Sequence, residues 1–68
     1  MTKYYVATAD KTRFAYITNG WNGGIQLIHN ETKPHFFTFD RAKRVISKCR
    51  KENLKGYQIF KAEITFAL

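Results

Sequence analysis

Cysteine is almost absent from this chain of 68 residues: Cys49 stands alone, so no intrachain disulfide framework can form. A lone thiol is the usage of a reducing compartment, and the cytoplasm is the expected location. Proline is as scarce, with Pro34 alone, and no low-complexity tract, internal repeat or linker is visible. Long apolar runs are missing too. The longest span a few residues, far short of the ~20 needed to cross a bilayer, so no membrane partner is expected. The opening Met1-Thr2-Lys3-Tyr4-Tyr5-Val6 lacks the apolar core of a signal peptide, about 7–15 residues long. Acidic residues are few as well: five Asp and Glu face twelve Lys and Arg, for a net charge of +7. The length admits one domain, residues 1–68, because two cores would need more chain. At this size a core supplies about 3–5 kcal/mol, so stability is thin or shared with a partner.

What is present argues for a folded chain, since hydrophobic residues make up 44% and aromatics 16%. Tyr4–Thr8 and Arg13–Thr18 are runs of strand length rich in β-branched and aromatic residues. Between them Ala9-Asp10-Lys11-Thr12 is short and polar, and Asp10 can accept from its own downstream backbone, the chemistry of a hairpin turn. The first two strands are therefore expected to be antiparallel neighbours. Asn19-Gly20-Trp21-Asn22-Gly23-Gly24 is the strongest loop signal, because Gly and Asn tolerate positive φ. Ile25–His29 reads as a third strand, followed by a polar loop to Pro34 and a brief extended piece at Phe36-Phe37.

Thr38 is a plausible N-cap for a helix, with Asp40 near the positive end of its dipole. Ala42, Val45, Ile46 and Cys49 follow the i, i+3, i+4, i+7 rule and define a buried stripe, which Phe39 can close over. Gly56, after Leu54-Lys55, is the expected left-handed terminator of this helix. Tyr57–Phe66 then reads as a last strand. Phe60, Ala62, Ile64 and Phe66 share one face, and Tyr57 and Ile59 fall on the polar face with Lys61, Glu63 and Thr65. The order β-β-β-α-β predicts an α+β fold: a small antiparallel-rich sheet with one helix packed on one face.

On a helical wheel Arg41, Arg44, Lys48, Lys51 and Lys55 fall within about 80° of one another, opposite the apolar stripe. Such a face concentrates positive potential and can track phosphates, whereas a merely solvating face would intersperse Glu with Lys. Asp40 and Glu52 are the only acids in the segment. The expected partner is nucleic acid or an acidic protein surface. One helix covers one face of a sheet, so some of Tyr4, Tyr5, Phe14, Tyr16 and Tyr57 must face away from it. Among these, Tyr5 and Tyr16 are candidate aromatic contacts, although good strand formers with exposed rings, or a face covered by a second copy, explain them better.

Trp21, in the flexible loop, is either a lid folded back on the core or a projecting anchor for a protein interface. The lid is favoured in a chain short of apolar area. Cys49 reads as a small core residue. His29 and His35 have no second Cys and no acid pair to complete a metal shell, so no metal is expected. Asn30-Glu31-Thr32 matches a glycosylation acceptor by chance. Catalysis needs a nucleophile with a base, paired carboxylates or a phosphate cradle, and no such spacing is present. No enzyme and no cofactor is expected.

The opening Tyr-rich hairpin, the run Phe37-Thr38-Phe39-Asp40-Arg41-Ala42-Lys43-Arg44-Val45-Ile46 and the run Gly56-Tyr57-Gln58-Ile59-Phe60-Lys61 together resemble small orphan proteins of bacteriophages and prophages. There a Phe-Thr/Ser-Phe cap opens the single helix, and a Gly-Tyr step leads to the last strand. The resemblance is one of layout over most of the chain and carries no functional residue across. It implies a protein that acts by binding nucleic acid, or a host enzyme or defence complex, in the host cell's cytoplasm.

Two functions follow. The first is a binding module whose cationic helix face engages nucleic acid. The second is an inhibitor or adaptor of the anti-CRISPR type, docking the same face on a host protein with Trp21 and exposed tyrosines as anchors. A symmetric homodimer through an open sheet edge or face is compatible with either.

Overall fold

In a computed structural model that describes residues 2–63, β1 (Thr2–Thr8), β2 (Phe14–Asn19) and β3 (Ile25–Glu31) precede helix α1 (Phe39–Lys51) and β4 (Tyr57–Glu63). The sheet order is β3-β2-β1-β4 and every neighbouring pair is antiparallel, so the expected α+β arrangement is present. Ile64, Thr65 and Phe66, assigned above to the last strand, lie outside the described residues.

The first hairpin turns where the sequence places its polar residues. Asp10 Oδ1 accepts from the Thr8 hydroxyl at 2.6 Å, the Thr12 hydroxyl at 2.8 Å and the Thr12 N–H at 3.2 Å. These three bonds to the charged form hold the Asp10 carboxyl below its usual range. Lys11, at the turn, takes a φ of 59°.

The registry of β4 on β1 decides which side chains meet the helix. Val6 stands opposite Ile59 and Tyr5 opposite Phe60, and cross-strand partners share a face. Val6 belongs to the core of Val6, Ala15, Ile17, Leu27, Ala42, Val45 and Cys49, with Tyr57 and Ile59 packed against it. Tyr57 and Ile59 therefore face the helix and Phe60 faces away, an orientation that sorting the strand into two faces leaves open. Both faces of β4 carry apolar residues, Tyr57 and Ile59 on one and Phe60 and Ala62 on the other, so alternation alone could not orient it. Ala15 and Ala42 are fully buried on sheet and helix, and two such short side chains let the layers approach closely.

The connection 32–38 explains the other face. His35 stacks on Tyr16 with ring centroids 3.9 Å apart, and Phe36 meets Tyr5 edge-on at 5.8 Å. Phe37 then exchanges two backbone hydrogen bonds with Tyr4, at 2.7 and 2.8 Å. β1 and β2 are in register at Val6 and Ala7, and beyond them Phe37 takes the place opposite Tyr4. The chain therefore crosses the uncovered face, passes between the splayed ends of β1 and β2, and emerges on the helix side. The extended piece expected at Phe36-Phe37 is this bridge.

β3 carries a bulge. Phe14 pairs with Glu31 and Tyr16 with Ile28, so an extra β3 residue faces Ala15, and Asn30 adopts a φ of 66°. The Asn30 N–H donates to the Tyr57 hydroxyl at 2.9 Å. In a flat sheet β3 and β4 would stand about 14 Å apart, three strand spacings, which a tyrosine cannot span. The bond therefore requires the sheet to curl around the helix at this end.

Thr38 caps α1 as expected: its φ and ψ are −66° and 162°, and its hydroxyl accepts from the Arg41 N–H at 3.3 Å. The other end differs from expectation, because α1 stops at Lys51. Asn53 takes a left-handed φ of 59°; its N–H donates to the Arg50 carbonyl at 3.0 Å, and the Leu54 N–H donates to the Cys49 carbonyl at 2.9 Å. This is a Schellman closure with Asn in the position usually held by Gly, and Leu54 folds onto the core beside Cys49. Gly56 does adopt positive φ, at 95°, but it serves the step into β4.

Candidate binding groove

The helix packs its apolar stripe on the sheet, and on the far side of the wheel the long side chains of Arg44, Lys48 and Lys51 still reach a depression shared with the strands. On the β2–β3 side they enclose an open groove of about 230 Å³, lined by Arg44, Ser47, Lys48 and Lys51 above and by Ile17 and Ile25 below. Ile25 is 58% exposed, an unusual exposure for a large aliphatic side chain on a strand. The groove thus has an apolar floor and a cationic rim. Among the described residues the one salt bridge is Lys43 to Asp40, at 3.5 Å, which leaves Arg44, Lys48 and Lys51 without an acidic partner there.

Of the five cations expected to form one helical stripe, these three line the groove. Arg41 is engaged otherwise: its guanidinium donates to the Ile17 carbonyl at 3.2 Å and ties the first turn of α1 to β2. Lys55 is not on the helix at all. With α1 ending at Lys51, it stands in the segment leading to β4, in a depression shared with Arg50, Asn53 and Tyr57. The wheel that grouped Lys55 with the others assumed a further helical turn, and the Asn53 closure removes it.

Trp21 is fully exposed, so the lid expectation is corrected. The loop is short-circuited by its own backbone: the Gly20 N–H donates to the Gly24 carbonyl, the Gly23 N–H to the Gly20 carbonyl at 3.0 Å, and the Gly24 N–H to the Asn22 side chain at 3.2 Å. These bonds close a tight β2–β3 turn that projects the indole away from the core. The turn flanks a second, shallower depression of about 600 Å³, lined by Trp21, Asn22, Ile25, Gln26, Lys48 and Glu52 among others. Ile25 and Lys48 belong to both depressions, so the indole and the cationic groove bound one continuous surface.

Tyr5 and Tyr16 lie elsewhere, on the face away from the helix. Tyr5 packs against Phe14, Phe36 and Phe60 at centroid distances of 6.0, 5.8 and 5.5 Å, and Tyr16 is stacked by His35. Lys11 sits over the Phe60 ring at 4.8 Å and caps the cluster. The rings are occupied by neighbours within the chain. Sequence reasoning missed Ile25 as part of the site, since an apolar residue opening a strand reads as core; its place directly after the Gly-rich loop was the available signal.

Cys49 is 1% exposed, and burial, with the negative charge of Glu52, pushes its thiol above the ordinary value. It packs in the core beneath the helix. Among the described residues no helix is long and apolar enough to cross a membrane. Comparison with family models, with curated proteins and with solved structures gives no match.

Proposed function

We propose that this chain is a non-enzymatic binding module whose cationic helix face engages nucleic acid, with little sequence preference. The observation that carries the reading is the convergence of Arg44, Lys48 and Lys51 on one groove without an acidic partner among the described residues. Unpaired cations held side by side repel one another, and a phosphate backbone relieves that repulsion while releasing its condensed counterions. Lysines act as point charges, so such a rim favours affinity over base discrimination. The net charge of +7 adds long-range attraction to any polyanion. The test is fluorescence anisotropy with labelled single- and double-stranded DNA and RNA at two salt concentrations. Micromolar binding that weakens steeply with salt is expected. No binding at low salt refutes the reading.

The complete exposure of Trp21 favours a second reading, an inhibitor or adaptor that docks on an acidic host protein. Tryptophan beside unpaired cations is the composition of an interface hot spot. The resemblance to phage orphan proteins is compatible with this reading as with the first. A chain of this kind ignores oligonucleotides at low salt and is captured with a defined acidic protein from host lysate. A homodimer through an open sheet edge or the sheet face away from the helix is compatible with either reading, and light scattering distinguishes dimer from monomer.

A further inference from the structure

We infer that the groove is built for a single strand, with an unpaired base stacked on Trp21 and the adjoining phosphates held by Arg44, Lys48 and Lys51. The inference rests on the nucleic-acid reading above and narrows it.

Three observations lead to it. The first is the apolar floor. A duplex presents phosphates and groove edges and keeps its base faces stacked inside, so it has nothing to bury against the exposed Ile25. A single strand exposes flat apolar base faces beside each phosphate, the same alternation that the cationic rim and apolar floor offer. The second is the indole. Trp21 is fully exposed on a loop closed by backbone hydrogen bonds, so the backbone that carries the ring is held beside the groove, and every base has a π-face to lay on the indole. The third is the placement of charge. Glu52 lines the Trp21 depression and disfavours a phosphate at that end, whereas Arg44 and Lys51 line the other end and attract one. The surface is therefore polar in the directional sense: base toward Trp21, phosphate toward the helix, with Ile25 and Lys48 between.

Trp21 is the chain's only tryptophan, so its emission reports this site alone. The experiment titrates the protein with an unlabelled thymidine 20-mer, with its duplex and with poly-glutamate, following both Trp21 emission and anisotropy of a labelled tracer. Single strand is expected to quench Trp21 emission and to bind more tightly than duplex. Trp21→Ala is expected to weaken single-strand binding about 5- to 150-fold, the range for loss of one stacked base, while leaving the salt slope unchanged. Trp21→Phe should recover part of the loss. Because Trp21 makes no contact with the core, the variants remain folded, which circular dichroism checks. If duplex and single strand bind alike and Trp21→Ala is silent, the single-strand inference is wrong and the broader reading stands. If no oligonucleotide binds at low salt, both are wrong. Equal binding of poly-glutamate with the same quenching also overturns the inference, in favour of an acidic protein.

Discussion

Replacing Arg44, Lys48 and Lys51 together by Gln separates the position of charge from its amount. The change lowers the net charge from +7 to +4, three unit charges fewer. Three single-strand phosphate contacts give a slope of about −2 in log K against log salt, at ~0.7 per contact. A fourfold rise in salt then weakens wild-type binding about 20-fold on account of these contacts. The triple variant should lose about two units of slope and bind correspondingly less at low salt. Gln is preferable to Glu here. Lys48, Arg50 and Lys51 occupy the last turn of α1, where cations complement the dipole. Each reversal to Glu would cost about 0.3–1 kcal/mol of helix stability, a serious fraction of the ~3–5 kcal/mol available to a domain of this size. The control is a second triple, Lys33, Arg50 and Lys55 to Gln, which has the same net charge and leaves the groove intact. Anisotropy at 50 and 200 mM salt reads both, with melting curves confirming that each is folded. If the two triples lose the same affinity and the same slope, net charge and not the groove governs binding, and the reasoning fails.

Stability and reactivity offer further checks. Val45→Ala removes two carbons from a fully buried position, at ~0.8 kcal/mol each plus the cavity left behind. The loss of about 2–3 kcal/mol should lower the urea midpoint by roughly 40% or more of its value, given ~3–5 kcal/mol in all, and a loss well under 1 kcal/mol would contradict the packing described. Cys49 should resist a thiol reagent at pH 8 and react at a rate set by unfolding, so Val45→Ala should speed labelling and urea should abolish the protection; prompt labelling of the native protein would mean that the thiol is accessible. Its raised folded value also has a sign. The stabilisation is present below the ordinary thiol range, about 8.5, and is lost as pH rises through the folded value. Asp10 acts in the opposite direction: its depressed folded value contributes stability above the ordinary carboxyl range, about 3.9, and loses it as pH falls through the folded value. Asp10→Ala should flatten that acid limb in a pH series of denaturant melts, and an unaltered limb would show that the turn bonds are immaterial to stability.

The residues on one side of the helix, Ala42, Val45, Ile46 and Cys49, state their burial by spacing alone, and Thr38 states its cap by chemistry. The same holds for the first hairpin, where Asp10 accepts the bonds its position promised. Local rules suffice where the interacting partners lie within a turn of one another. They fail at β4. Its apolar residues alternate onto both faces, and only the registry of Val6 with Ile59 says which face meets the helix. They fail again at Lys55, where the left-handed Asn53 ends the helix and Leu54 folds onto the core, so that Lys55 leaves the helical wheel.

The candidate site divides in the same way. That the chain is strongly basic, and that the helix carries cations away from its apolar stripe, follows from composition and a 100° rotation per residue. Which of those cations converge is a tertiary matter. The helix lies across a curled sheet, so Arg44, Lys48 and Lys51 share a groove with Ile17 and Ile25, Arg41 is drawn to a β2 carbonyl, and Lys55 is left outside. The direction of Trp21 was equally beyond local reading, because a Gly-rich loop permits an indole to fold in or to project. The backbone bonds that close the loop decide for projection. Periodicity and capping are short-range properties and are written in the chain; the convergence of side chains from separate elements depends on layer angle and strand registry, which only the assembled fold supplies.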